Sequence, residues 1–186
     1  PNFWPNTPDI LHADLQTGNR ATFIGRYVLA ATLSSNVGLY GPAYELIDHE
    51  PYPGKEENNH SEKYQLKAWD LDKPGNIRSE IARMNAIRNK HEAFQRTFNI
   101  HFIPCSNSHI IAYLKQNFEK TDRFIVVVNM DWENQQGGKL DLTAKALDLG
   151  HTGTLRLVDH FADTPKEYLW DDKKPYLELN PQTCPA

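Results

Sequence analysis

PNFWPNTPDIL, residues 1–11, is the stretch from which the fold reads outward. Pro1, Pro5 and Pro8 stiffen it, Phe3 and Trp4 make it aromatic, and it carries one carboxylate, Asp9, at what reads as the end of a strand. RATFIGRYVLAATLSS (20–35) then reads as a helix. Ile24, Tyr27, Val28, Ala31 and Leu33 fall at helical spacing, and Leu29 and Ala30 widen the stripe beyond one face. A helix apolar over so much of its surface is normally buried. Gly18-Asn19 before it reads as a turn with a capping Asn. VGLYGP (37–42) reads as a short buried strand stopped by Gly41-Pro42. Strand end, helix, strand is the rhythm of a parallel sheet.

Residues 47–75 are polar and carry Pro51, Pro53, Gly54, Pro74 and Gly75. A loop of this length inside a compact domain tends to be functional or mobile. Asn76 to Arg96 reads as an amphipathic helix. Ile77, Ile81, Met84, Ile87 and Phe94 form its inner stripe, and Arg78, Arg83, Asn85, Asn89, Lys90 and Glu92 face water. Near residue 98 the pattern changes to short strands: Ile100–Ile103, His109–Lys115, Phe124–Asn129, Lys139–Leu142, Gly153–Val158 and Tyr176–Leu179. The β-branched run Phe124-Ile125-Val126-Val127-Val128 is expected to be the buried centre of the sheet, and Gly137-Gly138 reads as a turn. Many short strands at regular intervals argue for an antiparallel β-sandwich. The expected division is an α/β part at 1–97 and a β-sandwich at 98–186.

Composition excludes several functions. Net charge is −4 with acids and bases interspersed, so no basic stripe supports nucleic-acid binding. No apolar run approaches the ~18 residues of a membrane span. The first residues lack the charged and apolar segments of a signal peptide, so the expected location is cytoplasmic. Cys105 and Cys184 stand far apart with no CxxC partner and read as two free thiols. No His pair at helical spacing sits beside a carboxylate, and nucleophile-elbow, P-loop and dinucleotide glycine patterns are missing. No metal and no cofactor is therefore expected.

A carboxylate on a rigid strand-end loop is a usual way for an α/β barrel to present a polar group to a sugar. The chain also starts abruptly, without an initiator Met, and reads as the back part of a larger enzyme. NFWPNTPDI (2–10) resembles the bacterial α-1,4-glucan:maltose-1-phosphate maltosyltransferases of the glycoside hydrolase 13 clan, the α-amylase superfamily. RYVLAATLSS (26–35), GLYGPAYEL (38–46), SEKY (61–64), WDLD (69–72), IARMNAIR (81–88) and VVVNMD (126–131) are similar to the same family and keep its order. General α-amylases usually carry His-Asp where Pro8-Asp9 stands, so this form favours the maltosyltransferase branch.

The resemblance implies the last βα units of a TIM (β/α)8 barrel followed by the clan's C-terminal sandwich. It implies that Asp9 is the third carboxylate, the transition-state stabiliser, and that Lys63 and Tyr64 bind the donor maltose. Asn6 and Tyr40 are candidates for pocket support by position, with backbone support the favoured reading for Asn6 and core packing for Tyr40. Trp4 and Trp69 are weighed as sugar-stacking or core residues. Retaining transfer needs a nucleophile and an acid/base roughly 5–5.5 Å apart; in the family both lie on earlier barrel strands, and none of this chain's other Asp or Glu residues matches them. The chain alone is expected to be inactive. The implied partners are maltose 1-phosphate and α-1,4-glucan, and the exposed edges of an incomplete barrel leave a homodimer open. Two other readings stand beside this one: another clan enzyme, a hydrolase or trehalose-processing enzyme, or a non-catalytic carbohydrate-binding or structural β-sandwich.

Overall fold

The computed structural model describes residues 1–143, 147–148, 154–171 and 174–186. Its organising element is α1 (Arg20–Leu33). The Asn19 side chain caps it by accepting from Ala21 N at 2.9 Å, which satisfies one of the first-turn donors. Phe23, Tyr27, Val28 and Ala31 enter a core that also takes in Leu15, Tyr44, Met84, Tyr113 and Val128. Full burial of each large apolar side chain there is worth roughly 1.5–3 kcal/mol. β1 (Asn2–Phe3) and β2 (Asn36–Val37) flank the helix in sequence and pair in parallel, Asn2 opposite Asn36 and Phe3 opposite Val37. This is the β-α-β unit that the spacing predicts, with much shorter strands.

The other end of α1 is closed from outside. Its last turn holds no basic residue. Arg88 of α3 (Arg78–Lys90) is buried beside it and donates to Ala31 O, to Ser34 O at 3.2 Å and to Ser35 O at 2.8 Å. A guanidinium with several donors thus answers carbonyls that a helix end leaves free. Burial lowers the Arg88 pKa from its ordinary value. Arg88 shares the inner face with Ile81 and Met84. The expected helix 76–96 is shorter, and a separate 3-10 turn at Glu92–Gln95 puts Phe94 in the core.

Strands β3 (Ile100–Phe102), β4 (Ile110–Gln116) and β5 (Arg123–Asn129) form one antiparallel sheet with β4 central, so the β-branched run takes its edge strand. β6 (Gln136–Lys139) pairs with β9 (Tyr176–Leu179), and β7 (Leu155–Asp159) pairs with β8 (Lys166–Trp170), both antiparallel. The described chain is thus small sheets, mostly antiparallel, packed with a few helices.

Three local expectations are corrected. Gly137 and Gly138 lie inside β6, not in a turn. A Cβ on Gly137 would meet the Tyr176 hydroxyl at 2.2 Å and one on Gly138 the Cys105 Sγ at 2.6 Å, so close approach of a β9 side chain and of the segment before β4 explains the two glycines. The strand expected at 139–142 accordingly lies earlier, with Leu140 making only an isolated bridge to Cys105. The strand expected over 37–42 ends at Val37, and Gly41-Pro42 opens the short helix α2 (Gly41–Glu45), where proline suits the first turn. β8 was not expected at all. Gly153, the first residue of an expected strand, lies outside the described residues.

Candidate functional site

β1 ends at Phe3, so Asp9 is not at a strand end as expected but in a bend six residues farther on, on a stretch pinned to the polar excursion at 47–75. Asn58 N donates to Asp9 O at 3.1 Å, Asn58 Nδ2 to Thr7 O at 3.1 Å, and Leu11 N to Glu56 O at 3.1 Å. Ile10 and Glu57 form an antiparallel bridge. The backbone around Asp9 therefore borrows hydrogen-bond partners from the loop, while its side chain stays about half exposed at 53%.

Farther along that loop, Ser61 is buried and its carbonyl accepts from Tyr64 N at 3.0 Å and Gln65 N at 3.3 Å. His60 before it has a left-handed backbone, φ 52°, uncommon for a residue with a side chain. The resulting turn turns Lys63 back to Asp9, with Nζ to Oδ1 at 3.1 Å. Lys63 Nζ also stands 5.1 Å from the Tyr64 ring centroid. Hydrogen bonding with Tyr64 and then with Asp9 raises the Lys63 pKa, so the ammonium is retained. Tyr64 leaves 80% of its surface bare.

Asn6 and Tyr40 join the same neighbourhood by a reciprocal bond. The buried Asn6 side chain accepts from Tyr40 N at 3.1 Å and donates to Tyr40 O at 3.4 Å. The Tyr40 hydroxyl donates to Glu62 Oε2 at 2.9 Å. Burial, and then the hydrogen bond with Glu62, raise its pKa. Trp69 Nε1 donates to the other oxygen of Glu62 at 3.0 Å. These two donors, Trp69 first, hold the Glu62 carboxyl below its ordinary pKa. Lys67 lies 4.6 Å over the Trp69 ring and bonds Asp48 at 2.7 Å. Trp4 packs on Gly38, where a Cβ would meet its ring at 2.1 Å, and remains 47% exposed.

Asp9, Lys63, Tyr64, Asn6 and Tyr40 are thus neighbours, although they come from three separate parts of the chain. Glu62 has no role in the sequence reading; its signals are adjacency to Lys63 and its place in SEKY (61–64). Chemically the rim offers a carboxylate acceptor, an ammonium donor and a flat aromatic face, a set suited to sugar hydroxyls and to the apolar face of a pyranose. An exposed ion pair such as Asp9–Lys63 contributes little to stability.

A mainly apolar cavity of about 590 Å³ lies elsewhere, lined by Val28, Met84, Phe124, Leu157 and Trp170 among others. Among the described residues no group of three or more His, Cys, Asp or Glu side chains could hold a metal ion, and none of the helices is long and apolar enough to cross a membrane. Cys105 and Cys184 are free thiols.

Residues 102–186 match the family model described as "GLGE, C-terminal". The chain is 48% identical over 192 aligned residues to the α-1,4-glucan:maltose-1-phosphate maltosyltransferase of Chlorobaculum tepidum, covering 100% of this chain and 28% of that protein. It is 46% identical to the protein of the same name from Methylacidiphilum infernorum, again over 100% of this chain and 28% of the relative. The chain therefore spans little more than a quarter of the length of these curated relatives. Among solved structures, a noncanonic maltogenic α-amylase from Thermotoga neapolitana superposes with a TM-score of 0.67 over 97% of this chain and 39% of its own, at 15% identity. That likeness is one of fold, and it assigns the small sheets and helices to an amylase-like arrangement. By sequence, from its first segment to its last, the chain belongs to the α-1,4-glucan:maltose-1-phosphate maltosyltransferase family.

Proposed function

We propose that this chain is the C-terminal part of a retaining maltosyltransferase that moves maltosyl units from α-maltose 1-phosphate to the non-reducing end of an α-1,4-glucan. In this reading residues 1–97 are the last βα units of a TIM barrel and 98–186 the sandwich behind it. The parallel β1–α1–β2 unit followed by antiparallel sheets supports that division. The observation that carries the functional reading is the meeting of Asp9 and Lys63 at 3.1 Å on an exposed rim, in a chain whose relatives bear the maltosyltransferase name.

In the transfer the bond between the maltosyl C1 and the phosphate oxygen breaks. The nucleophilic carboxylate bonds to C1 as inorganic phosphate leaves; the glucan 4-hydroxyl oxygen then displaces that carboxylate from C1 while the acid/base takes its proton, so the configuration at C1 is retained. The nucleophile and the acid/base are assigned to the preceding part of the polypeptide, which makes this chain inactive alone. Asp9 accepts hydrogen bonds from sugar hydroxyls, and those bonds strengthen as positive charge develops on the ring. Lys63 balances the carboxylate and donates to a hydroxyl of the bound maltose. Tyr64 offers its ring to the apolar sugar face. Asn6 and Tyr40 support the pocket from below. The location assigned is the cytoplasm, where sugar phosphates are made.

The test is phosphate release from α-maltose 1-phosphate with glucan as acceptor, using the full-length polypeptide that carries this chain. Release coupled to glucan lengthening is expected, and Lys63→Ala should raise KM for the donor about tenfold. The 186-residue chain alone should stay at the blank rate. Glucan hydrolysis without use of the sugar phosphate would assign the protein to a hydrolase instead.

A further inference from the structure

The contacts around the rim close into a ring. Asp9 shares its segment with Asn6, and Asn6 holds the Tyr40 backbone from both sides. The Tyr40 hydroxyl donates to Glu62 Oε2 at 2.9 Å and accepts from Glu62 N at 3.3 Å. The next residue, Lys63, returns to Asp9 at 3.1 Å. Trp69 ties the other oxygen of Glu62 at 3.0 Å, and Lys67 with Asp48 holds Trp69 in place. Both oxygens of one exposed carboxylate are therefore engaged by neutral donors from opposite sides, the region after β2 and the returning loop. A carboxylate accepts on two oxygens, whereas an amide can accept on one.

From this we propose that Glu62 is a positioning residue for donor binding: clasped between the Tyr40 hydroxyl and the Trp69 indole N–H, it fixes the turn that delivers Lys63 to Asp9. Glu62 need not touch the sugar. Its effect passes through Lys63, whose backbone it anchors next door. Without the clasp the turn at Ser61–Tyr64 keeps its local hydrogen bonds and the bond from Glu62 N to the Tyr40 hydroxyl but loses the side-chain ties to Tyr40 and Trp69, so the ammonium samples other directions and the rim is no longer pre-formed. An unfixed binding group costs affinity for the ground state, which appears in KM.

This inference rests on the reading of Asp9, Lys63 and Tyr64 as sugar contacts, and the two can fail separately. The experiment is steady-state kinetics of the full-length polypeptide with α-maltose 1-phosphate and glucan. Glu62→Gln should raise KM for the donor about tenfold with kcat changed by less than about threefold. Tyr40→Phe and Trp69→Phe, each removing one donor, should move KM the same way by smaller factors. They carry the test if Glu62→Gln does not fold. In a Lys63→Ala background Glu62→Gln should add less than about a twofold further rise, because the residue it positions is gone. An unchanged KM for Glu62→Gln beside a raised KM for Lys63→Ala overturns the clasp alone. So does an undiminished effect of Glu62→Gln in the Lys63→Ala background. An unchanged KM for Lys63→Ala overturns the sugar-rim reading and the clasp with it.

Discussion

Replacing Lys115 by methionine should make the chain's stability less dependent on pH. Lys115 lies on the central strand β4, between Ile100 and Phe124 in the ladder, and its side chain is 0% exposed. Nζ donates to Arg96 O at 2.6 Å. Desolvation first, and then the Arg88 charge, lower its pKa from 10.5 to about 8. Below about pH 8 the amine is protonated in both folded and unfolded chains, and folding bears the full cost of burying the charge. As pH rises from the folded toward the unfolded pKa that cost falls, and above about pH 10.5 it vanishes. Linkage gives a cost of ~3 kcal/mol at about pH 6.5 and ~1.4 kcal/mol at about pH 9.5. Methionine keeps the length of the side chain and removes the charge, but leaves Arg96 O without this donor, at a pH-independent cost of ~1–3 kcal/mol. The quantity to measure is the stability difference between Lys115→Met and the parent by urea unfolding at both pH values. It should favour the variant by ~2 kcal/mol more at the lower pH. A difference that does not change with pH would refute the buried-charge argument.

The clamp on α1 and the fit of its side give two further tests. Arg88→Ala should destabilise the chain by ~2–4 kcal/mol, because three carbonyls at the end of α1 lose their donor at a buried position; urea unfolding measures it, and a loss under ~0.5 kcal/mol would contradict the clamp. Gly25→Ala should lower the melting temperature although alanine is the better helix former. The new Cβ would meet the Trp132 ring at 2.3 Å, and overpacking at ~1–3 kcal/mol exceeds the ~1 kcal/mol that helix propensity returns. A raised melting temperature would show that Trp132 moves aside freely.

How far the sequence reached depended on whether the decisive interaction was local. α1 was legible nearly to its ends, because its apolar residues wrap the helix and Asn19 caps it. β4 and β5 were legible as alternating or β-branched runs. Arg88 was not, although it stands at the inner-face spacing after Ile81 and Met84. What buries it is a set of carbonyls on another helix, invisible to periodicity. Gly137-Gly138 carries a turn signature, and pairing with Glu178 and Leu177 of β9, distant in sequence, makes it strand. β8 has mostly exposed side chains and a charged start, so no one-sided pattern announced it. At the rim, Asp9, Lys63 and Tyr64 were named through a family resemblance rather than from spacing. The clasp by Glu62 could not be read, since its partners come from before and after it in the chain and only folding joins them.

The central claim is that Asp9 stabilises charge on a maltosyl group in transfer, and Asp9→Asn tests it most directly. The substitution keeps size and removes the charge at an exposed position, so the melting temperature of the full-length polypeptide should hold. Phosphate release from α-maltose 1-phosphate with glucan should then fall in kcat by about a thousandfold. Retention of kcat within about threefold of the parent would contradict the account.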